Sequence, residues 1–271
     1  MTDPLGLSGT QAAIDPVDAA ACRGFAQHHG SPNLGPVTVI IPAYREAASI
    51  SAVVEAIPRE ALGLRTATLV VVDGPDDETI AAANASGAFV CVAPVNRGQG
   101  AALKLGYALA RSHGARYLVT IDADGQYDPA EIPEVLEPIV GGTADFVSGS
   151  RRLGVNFQGD RVRELGVVVY AALISVLTSH RVTDPSFGLR AMRTAVPCSL
   201  TLRQPQYQAG ELLVAVIMNG YRVAERPATM RARSRGSSHK GSNILYGWRF
   251  GSVVVSTWQR ERRLRHRGST G

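Results

Sequence analysis

The chain has 271 residues, of which 45% are hydrophobic and 19% charged, and its formal net charge is +5. This hydrophobic content is ordinary for a globular core and excludes a chain that is disordered throughout. The three cysteines are widely spaced and form no CxxC or CxxH pair, which excludes a disulfide framework or structural zinc site and favours a reducing, cytoplasmic setting. The opening residues MTDPLGLSGT lack a basic segment and an apolar core, so no secretory signal is predicted.

The positive charge is concentrated at the C-terminal end. Residues 226–271 carry 11 Lys and Arg against one acidic residue. Such a segment suits an anionic membrane surface or plain exposure to water, and no nucleic-acid-binding motif accompanies it. Two apolar runs, 165–177 and 244–258, fall short of the roughly 18–20 residues that a spanning helix needs. Peripheral contact with the inner face of a membrane therefore stays open.

The elements follow one another in a regular order. Residues 1–35 are rich in small residues, with a helix-like stretch only near 15–27, and predict a loosely docked N-terminal extension. Short β-branched runs then alternate with amphipathic stretches. The predicted strands are VTVII, TLVVVD, AFVCVA, RYLVTID and ADFVSGS, and the predicted helices are EAASISAVVEAI, ETIAAANAS, GAALKLGYALARS and PAEIPEVLEPIV. This alternation predicts an α/β domain with a mostly parallel sheet and helices on both faces, over residues 36–243, followed by a basic helix or tail over 244–271.

Polar residues follow each of the first four strands, in the segments PAYRE, DGPDDE, NRGQG and DADGQYD. Ligands of parallel sheets collect at the carboxyl ends of the strands. Asp73, Asp122 and Asp124 are therefore predicted to converge at one rim.

Asp122 and Asp124 carry the strongest chemical signal. Carboxylates at positions i and i+2 of an extended chain can face one cation, and a hard ion such as Mg²⁺ or Mn²⁺ keeps further positions open for phosphate oxygens. The alternative is a solvated loop, which is common for an isolated DxD triplet. Asp73 suits hydrogen bonds from a nucleotide base or ribose, whereas Asp76 and Asp77 are better placed to cap the following helix. The loop at 96–100 suits either anion binding through its amides or packing and helix capping.

These segments resemble family 2 of the glycosyltransferases, and in particular its polyprenol-phosphate branch, the one similar to dolichol-phosphate mannose synthase. VIIPAYRE, VVVDGPDDET, NRGQGAALKLGYALA and DADGQYDPAEIPEVLEPI resemble the family's first four motifs, in the family's order. The resemblance continues to Lys240 through ADFVSGSR, VTDPSFGLRAMR, ELLVAVIMNGYRVAERP and RSRGSSHKGS.

The resemblance implies a GT-A (Rossmann-like) fold and an inverting transfer of a sugar from a nucleoside diphosphate donor. It implies that the nucleoside is surrounded by Pro42, Ala43, Tyr44, Glu46 and Asp73. The metal would lie on Asp122 and Asp124, and Gln126 would lie beside the donor sugar and phosphates. Arg151 and Arg190 are candidates for phosphate recognition, with salt bridges as the alternative. A basic loop over the diphosphate would contain Arg233, Arg235, Ser238 and Lys240.

The acceptor is left open between a polyprenyl phosphate and a soluble or natural-product hydroxyl. A lipid phosphate is already anionic, whereas a hydroxyl needs a carboxylate to take its proton. Asp184 is the first candidate base and Glu211 the second, each with a structural hydrogen-bonding role as an equal alternative. A nucleotide-sugar binding module without catalysis is disfavoured by the intact DxD and basic loop. The sequence departs from the family pattern at two places: Gly74 and Pro75 follow Asp73, and Phe187 stands where the family has serine. The identity of the sugar, the base of the nucleotide and any homo-oligomer stay open.

Overall fold

The computed structural model describes residues 15–232 and 243–268. The helices are α1 (Pro16–His29), α2 (Ile50–Ala56), α3 (Asp77–Ala85), α4 (Gln99–Ser112), α5 (Ile132–Val140), α6 (Arg161–Thr178), α7 (Ala195–Ser199), α8 (Gln208–Met218) and α9 (Asn243–Gly268). The strands are β1 (Val37–Ala43), β2 (Glu60–Ala61), β3 (Leu64–Asp73), β4 (Phe89–Ala93), β5 (Tyr117–Thr120), β6 (Phe146–Asn156), β7 (Arg190–Arg193) and β8 (Val223–Met230).

The strands form one sheet in the order β4-β3-β1-β5-β7-β6-β8, and β2 pairs with the start of β3. Strand β1 is parallel to β3 and β5, β4 is parallel to β3, and β8 is parallel to β6. Strand β7 lies antiparallel between β5 and β6, so β6 and β8 keep the direction of β5. The predicted mostly parallel sheet is confirmed, and the carboxyl ends of β1, β3, β4, β5, β6 and β8 share one rim.

Helices cover both faces of the sheet, as predicted. Alternate residues of each strand point to opposite faces, which is why the buried strands are apolar throughout. Ile40 packs in the cluster that contains residues of α1, α4, α6, α8 and α9, whereas Val39 and Ile41 pack in the cluster with α2, α3 and α5. No helix among the described residues is long and apolar enough to cross a bilayer.

The described part of the N-terminal segment is firmly packed, so the expectation of a loosely docked extension is wrong. Helix α1 buries Ala21, Cys22 and Phe25 in the core that contains residues of β4 and α4. Burial lowers the pKa of His29, and its neutral ring accepts a hydrogen bond from the Val90 amide at 3.1 Å. Leu34 is fully buried. A domain boundary at residue 35 would therefore cut through a core.

Helix α9 is also part of the globular core, which corrects the boundary predicted at residue 244. Phe250, Val253 and Val254 are buried, and the Phe250 ring lies 5.0 Å from the ring of Tyr170 on α6. Further along α9, Arg260 pairs with Glu211 at 2.9 Å. The buried apolar side chains of this helix therefore pack against the rest of the protein.

Candidate active site

The carboxyl ends of β1, β3 and β5 surround an open cleft of about 170 Å³. Its lining residues are Pro42, Ala43, Tyr44, Glu46, Asp73, Gln99, Ala102, Asp122, Ala123 and Asp124. The predicted convergence of Asp73, Asp122 and Asp124 at one rim is confirmed. All five residues predicted around the nucleoside line the cleft beside both predicted metal ligands, and these binding roles remain predictions.

Asp122 and Asp124 are oriented by neighbours that hold their oxygens. Gln99, the first residue of α4, donates its side-chain amide to Asp122 Oδ1 at 2.8 Å. The Gln126 amide donates to Asp124 Oδ1 at 3.1 Å. A Cβ on Gly188 would lie 2.9 Å from Asp122 Oδ2, so only glycine allows the chain to approach so closely. Two carboxylates side by side are the hard oxygen ligands that Mg²⁺ or Mn²⁺ prefers, so the residues present fit such an ion.

Within the described residues, no group of three or more His, Cys, Asp and Glu side chains is placed to hold a metal ion. Mg²⁺ is commonly bound through one or two carboxylates together with substrate phosphates and water, rather than by an all-protein cage. The Asp122 and Asp124 pair is compatible with that mode.

The Asp73 carboxylate is already engaged inside the protein. It accepts hydrogen bonds from the amides of Arg97 at 2.9 Å and Gly98 at 2.6 Å. The anion held by the amides of the 96–100 loop is thus the chain's own carboxylate. Asp73 lines the cleft, and its contact with a base or ribose stays a prediction. Asp76 caps α3, as expected, through a 3.3 Å bond from the Thr79 amide.

Gly100 in the same loop serves close packing. Its amide donates to the Pro205 carbonyl at 2.7 Å. A Cβ at Gly100 would lie 2.3 Å from the Gln204 carbonyl oxygen. The loop at residues 203–207 therefore lies directly against the start of α4, beside the cleft.

Asp184 and Arg151 form a buried ion pair. Arg151 Nε donates to Asp184 Oδ2 at 2.6 Å, and Asp184 is 0% exposed. The other guanidinium end of Arg151 donates to the Ser186 hydroxyl at 3.1 Å. Asp184 was predicted as a catalytic base and Arg151 as a phosphate ligand. These roles do not fit the arrangement, because the two side chains form an ion pair with each other and neither lines the cleft.

Arg190 and Glu211 also have structural roles. The guanidinium of Arg190 donates to the carbonyls of Phe187, Ala209 and Pro185 at 2.7 to 3.1 Å. The fully buried Glu211 carboxylate accepts from the Arg203 and Gln204 amides, and it pairs with Arg260. Phosphate binding by Arg190 and proton abstraction by Glu211 are corrected accordingly. Glu211 instead fixes the 203–207 loop.

Gln126 lies where β8 leads into the predicted basic loop. The Arg231 amide donates to the Gln126 carbonyl at 2.8 Å, and the Arg231 side chain pairs with Asp128. The predicted loop residues Arg233, Arg235, Ser238 and Lys240 lie outside the described residues. The chain that leads into them thus starts beside the DxD segment.

Three further residues shape the site without having been singled out. Gln99 orients Asp122, and Glu225 accepts the Thr183 and Asp184 amides at 2.8 to 3.0 Å, which sets the turn that holds Asp184. Burial, and then the nearby Asp122 carboxylate, raise the pKa of Tyr127 well above its ordinary value. The Tyr127 ring packs 4.6 Å from Phe187, which is fully buried. Gln99 belongs to the segment NRGQG, which follows a strand and begins a helix. That position beside the rim is the sequence feature that could have identified Gln99 as a site residue.

A parallel α/β sheet with paired aspartates at its carboxyl rim defines a class of enzyme that can bind phosphorylated ligands there. The model of the family described as glycosyl transferase family 2 matches residues 38–196. The chain belongs to glycosyl transferase family 2, and it is a glycosyltransferase. The resemblance to the polyprenol-phosphate branch is likewise confirmed.

Curated relatives cover most of the chain. The dolichyl-phosphate hexose transferase of Haloferax volcanii is 31% identical over 198 residues, which is 73% of this chain and 84% of that protein. The polyprenol monophosphomannose synthase of Mycolicibacterium smegmatis is 30% identical over 219 residues, covering 76% of this chain and 82% of that protein.

Among solved structures, glucosyl-3-phosphoglycerate synthase of Mycobacterium tuberculosis, in complex with Mn²⁺, uridine diphosphate and phosphoglyceric acid, has a TM-score of 0.63 and 25% identity. The match covers 83% of this chain and 78% of that one. The predicted GT-A fold is confirmed by this likeness.

Proposed function

We propose that this glycosyltransferase moves a sugar from a nucleoside diphosphate-sugar to a polyprenyl phosphate, with inversion at the anomeric carbon. The donor assignment is supported by the cleft of Asp73, Asp122 and Asp124 and by the uridine diphosphate and Mn²⁺ of the solved relative. The lipid acceptor is supported by the two relatives whose names specify dolichyl phosphate and polyprenol.

The observation that carries the lipid acceptor is an exposed apolar face on α6 and on the residues just before it. We call it the α6 face: Phe157, Val162, Leu165, Val169 and Val176. Spacings of three, four and seven residues place its four helical members on one side of α6. Phe157, Leu165 and Val176 are 63%, 65% and 80% exposed, respectively. Exposed apolar patches of this kind mark protein or membrane contacts.

The α6 face is linked to the DxD segment through the end of β8. The Phe157 amide donates to the Met230 carbonyl at 2.8 Å, and the next residue, Arg231, donates its amide to Gln126. In this proposal, a lipid whose phosphate lies in the cleft lays its apolar chain along α6, past the end of β8.

The chemistry is a single displacement. An acceptor phosphate oxygen attacks the anomeric carbon from the face opposite the diphosphate, the bond from that carbon to the diphosphate breaks, and the electron pair leaves with the nucleoside diphosphate. A divalent ion on Asp122 and Asp124 would neutralise this leaving group. Gln99 and the Gln126 amide hold the two carboxylates in place. No proton needs to be removed from a phosphate acceptor, which agrees with the burial of Asp184 and Glu211.

A soluble hydroxyl acceptor is the second candidate. It is favoured by the fold likeness to a synthase whose structure contains phosphoglyceric acid. Such an acceptor would require a base that becomes available on substrate binding.

The test is transfer of radiolabel from UDP-glucose or GDP-mannose, with Mn²⁺, to a short polyprenyl phosphate or to 3-phosphoglycerate. We expect label in the organic phase with the lipid, and none in the soluble acceptor. Label found only in the soluble product would reject the lipid acceptor and promote the second candidate.

The double variant Arg151→Met with Asp184→Leu tests whether Asp184 acts as a catalytic base. Replacing both partners avoids the unpaired buried charge that a single change would leave. We expect lipid transfer by the folded double variant to stay within about tenfold of wild type, whereas a mechanism with Asp184 as base would lose roughly 100-fold or more.

A further inference from the structure

Residues 97–99 connect three parts of the molecule. The amides of Arg97 and Gly98 bind the Asp73 carboxylate, and the Gln99 side chain binds Asp122, which also lines the cleft. The side chain of Arg97 points the other way, toward α1. Through hydrogen bonds and an ion pair, residues 97–99 therefore touch α1, Asp73 and Asp122 together.

The contact with α1 is an ion pair with two carboxylates. Arg97 Nη1 lies 3.2 Å from Asp15 Oδ2, and its other terminal nitrogen pairs with Asp18. The side chains of Arg97 and Asp18 are 21% and 25% exposed, so the pair is partly shielded from water. Helix α1 lies outside residues 38–196, the segment that matches the family model.

The loop needs such an anchor because its backbone conformation is unusual. Gly98 has φ near 100°, a conformation that residues with a side chain rarely adopt, and its amide donates to Asp73 in that conformation. Glycine has many alternative conformations, so fixing the loop costs conformational entropy. An ion pair on Arg97, adjacent to Gly98, restricts those alternatives from the side away from the cleft.

We propose that Asp15 and Asp18 are positioning residues for the donor site: through Arg97 they hold the 97–99 loop so that Asp73 and Asp122 face the nucleotide. The inference rests on the proposed function, since it assigns Asp73 and Asp122 to the donor. Loss of the pair frees the loop, removes the amide partners of Asp73 and lets Gln99 move away from Asp122. The groups that react are untouched.

The test compares Asp15→Asn with Asp18→Asn, as a double variant, against wild type and Glu137→Gln. Asparagine caps a helix about as well as aspartate, so α1 keeps the cap that Asp15 gives the Val17 amide. Glu137 forms a similar surface pair with Arg226 away from the cleft lining and is the matched control.

Three measurements are made on the whole chain. Hydrogen exchange without nucleotide reports the Arg97 and Gly98 amides directly, and calorimetry with Mn²⁺ and UDP or GDP reports donor affinity. The radiolabel transfer assay, at varied donor concentration, gives KM and kcat. For the double variant we expect faster exchange confined to the loop. We also expect affinity to fall on the order of tenfold, as when outer partners of a metal site are lost, with the donor KM rising and kcat within about twofold of wild type. Glu137→Gln should change neither.

Unchanged loop exchange in the double variant would overturn the inference, as would faster exchange with unchanged nucleotide affinity. A fall in affinity of equal size in Glu137→Gln would also overturn it, because the effect would then reflect general charge loss. Failure of the proposed function has a different signature: wild type would bind neither nucleotide, whatever the loop exchange shows, and the inference would fall with it.

Discussion

Asp122 illustrates how the site depends on single neighbours. Gln99 donates to one of its oxygens, and Gly188 leaves room for the other with no Cβ in the way. A metal bridge between Asp122, Asp124 and a diphosphate would make the affinity for nucleotide depend on the ion.

We therefore expect Asp122→Asn with Asp124→Asn to weaken Mn²⁺-dependent nucleotide binding by about tenfold or more, because the ion loses its anionic ligands. Calorimetry with UDP and GDP, with Mn²⁺ and with chelator, measures the change. Asp128→Asn is the control, since Asp128 lies in the same segment but pairs with Arg231. Equal affinity with and without chelator, in wild type and double variant alike, would remove the metal bridge.

At the scale of residues, the sequence predicted where side chains lie in the fold better than it predicted which groups they contact. Asp73, Asp122 and Asp124 meet because each follows a parallel strand, and strand ends are visible as breaks in apolar runs. The pair Arg151 and Asp184 and the triple contact of Arg190 depend on where β7 and its preceding turn insert into the sheet. That insertion leaves no local pattern, so the sequence could not show that these charges face each other.

At the scale of elements, the docking of α1 and the existence of β7 were among the features missed. Strand β7 has only four residues between a glycine-containing turn and α7, too few to show an alternation. Helix α1 did carry a signal, because Ala21, Cys22 and Phe25 lie one turn apart on one side. The surrounding small residues concealed that signal, and the helix was predicted as loosely docked.

Docking of α1 predicts a large stability loss for Phe25→Ala. Phe25 is 2% exposed, and its ring lies 4.9 Å from His29 and 5.3 Å from His113. Removing a buried Phe ring costs about 3–5 kcal/mol. Urea unfolding measures it, with the exposed Phe157→Ala, expected within about 0.5 kcal/mol of wild type, as the control. A decrease of less than about 1 kcal/mol in the free energy of unfolding for Phe25→Ala would instead support a loosely docked extension.

At the scale of the whole molecule, apolar surface and charge indicate where the proposed membrane contact would lie. The sequence offered both apolar runs, 165–177 and 244–258, for such contact. In the structure Phe250, Val253 and Val254 of the second run pack inward, and the exposed apolar stripe lies on α6, which contains the first run. Trp248 keeps 76% of its surface exposed and adjoins Gly247, where an added Cβ would lie 2.9 Å from the Tyr170 hydroxyl of α6. Hydrophobic runs alone could not tell which side of two packed helices is left uncovered.

The α6 face and the basic C-terminal segment together predict reversible binding to anionic membranes. Residues 226–271 carry a net charge of +10, from 11 basic and one acidic residue. Each basic residue near an anionic bilayer contributes about 1 kcal/mol, and this attraction is screened over about 10 Å at 0.1 M salt. Burying exposed Leu and Val side chains adds a contribution that salt does not screen. We therefore expect binding to phosphatidylglycerol liposomes at low salt that weakens, without vanishing, at high salt.

Substitutions on α6 separate the two contributions. Leu165→Glu with Val169→Glu should abolish co-sedimentation at high salt and reduce it at low salt, because charged groups would have to enter the apolar boundary. Leu62→Glu, an exposed leucine at the turn between β2 and β3, is the matched control and should bind as wild type does. Equal loss of binding in Leu62→Glu would mean that the α6 face has no special part. Absence of liposome binding by wild type at low salt, together with no labelled lipid product, would reject the membrane acceptor altogether.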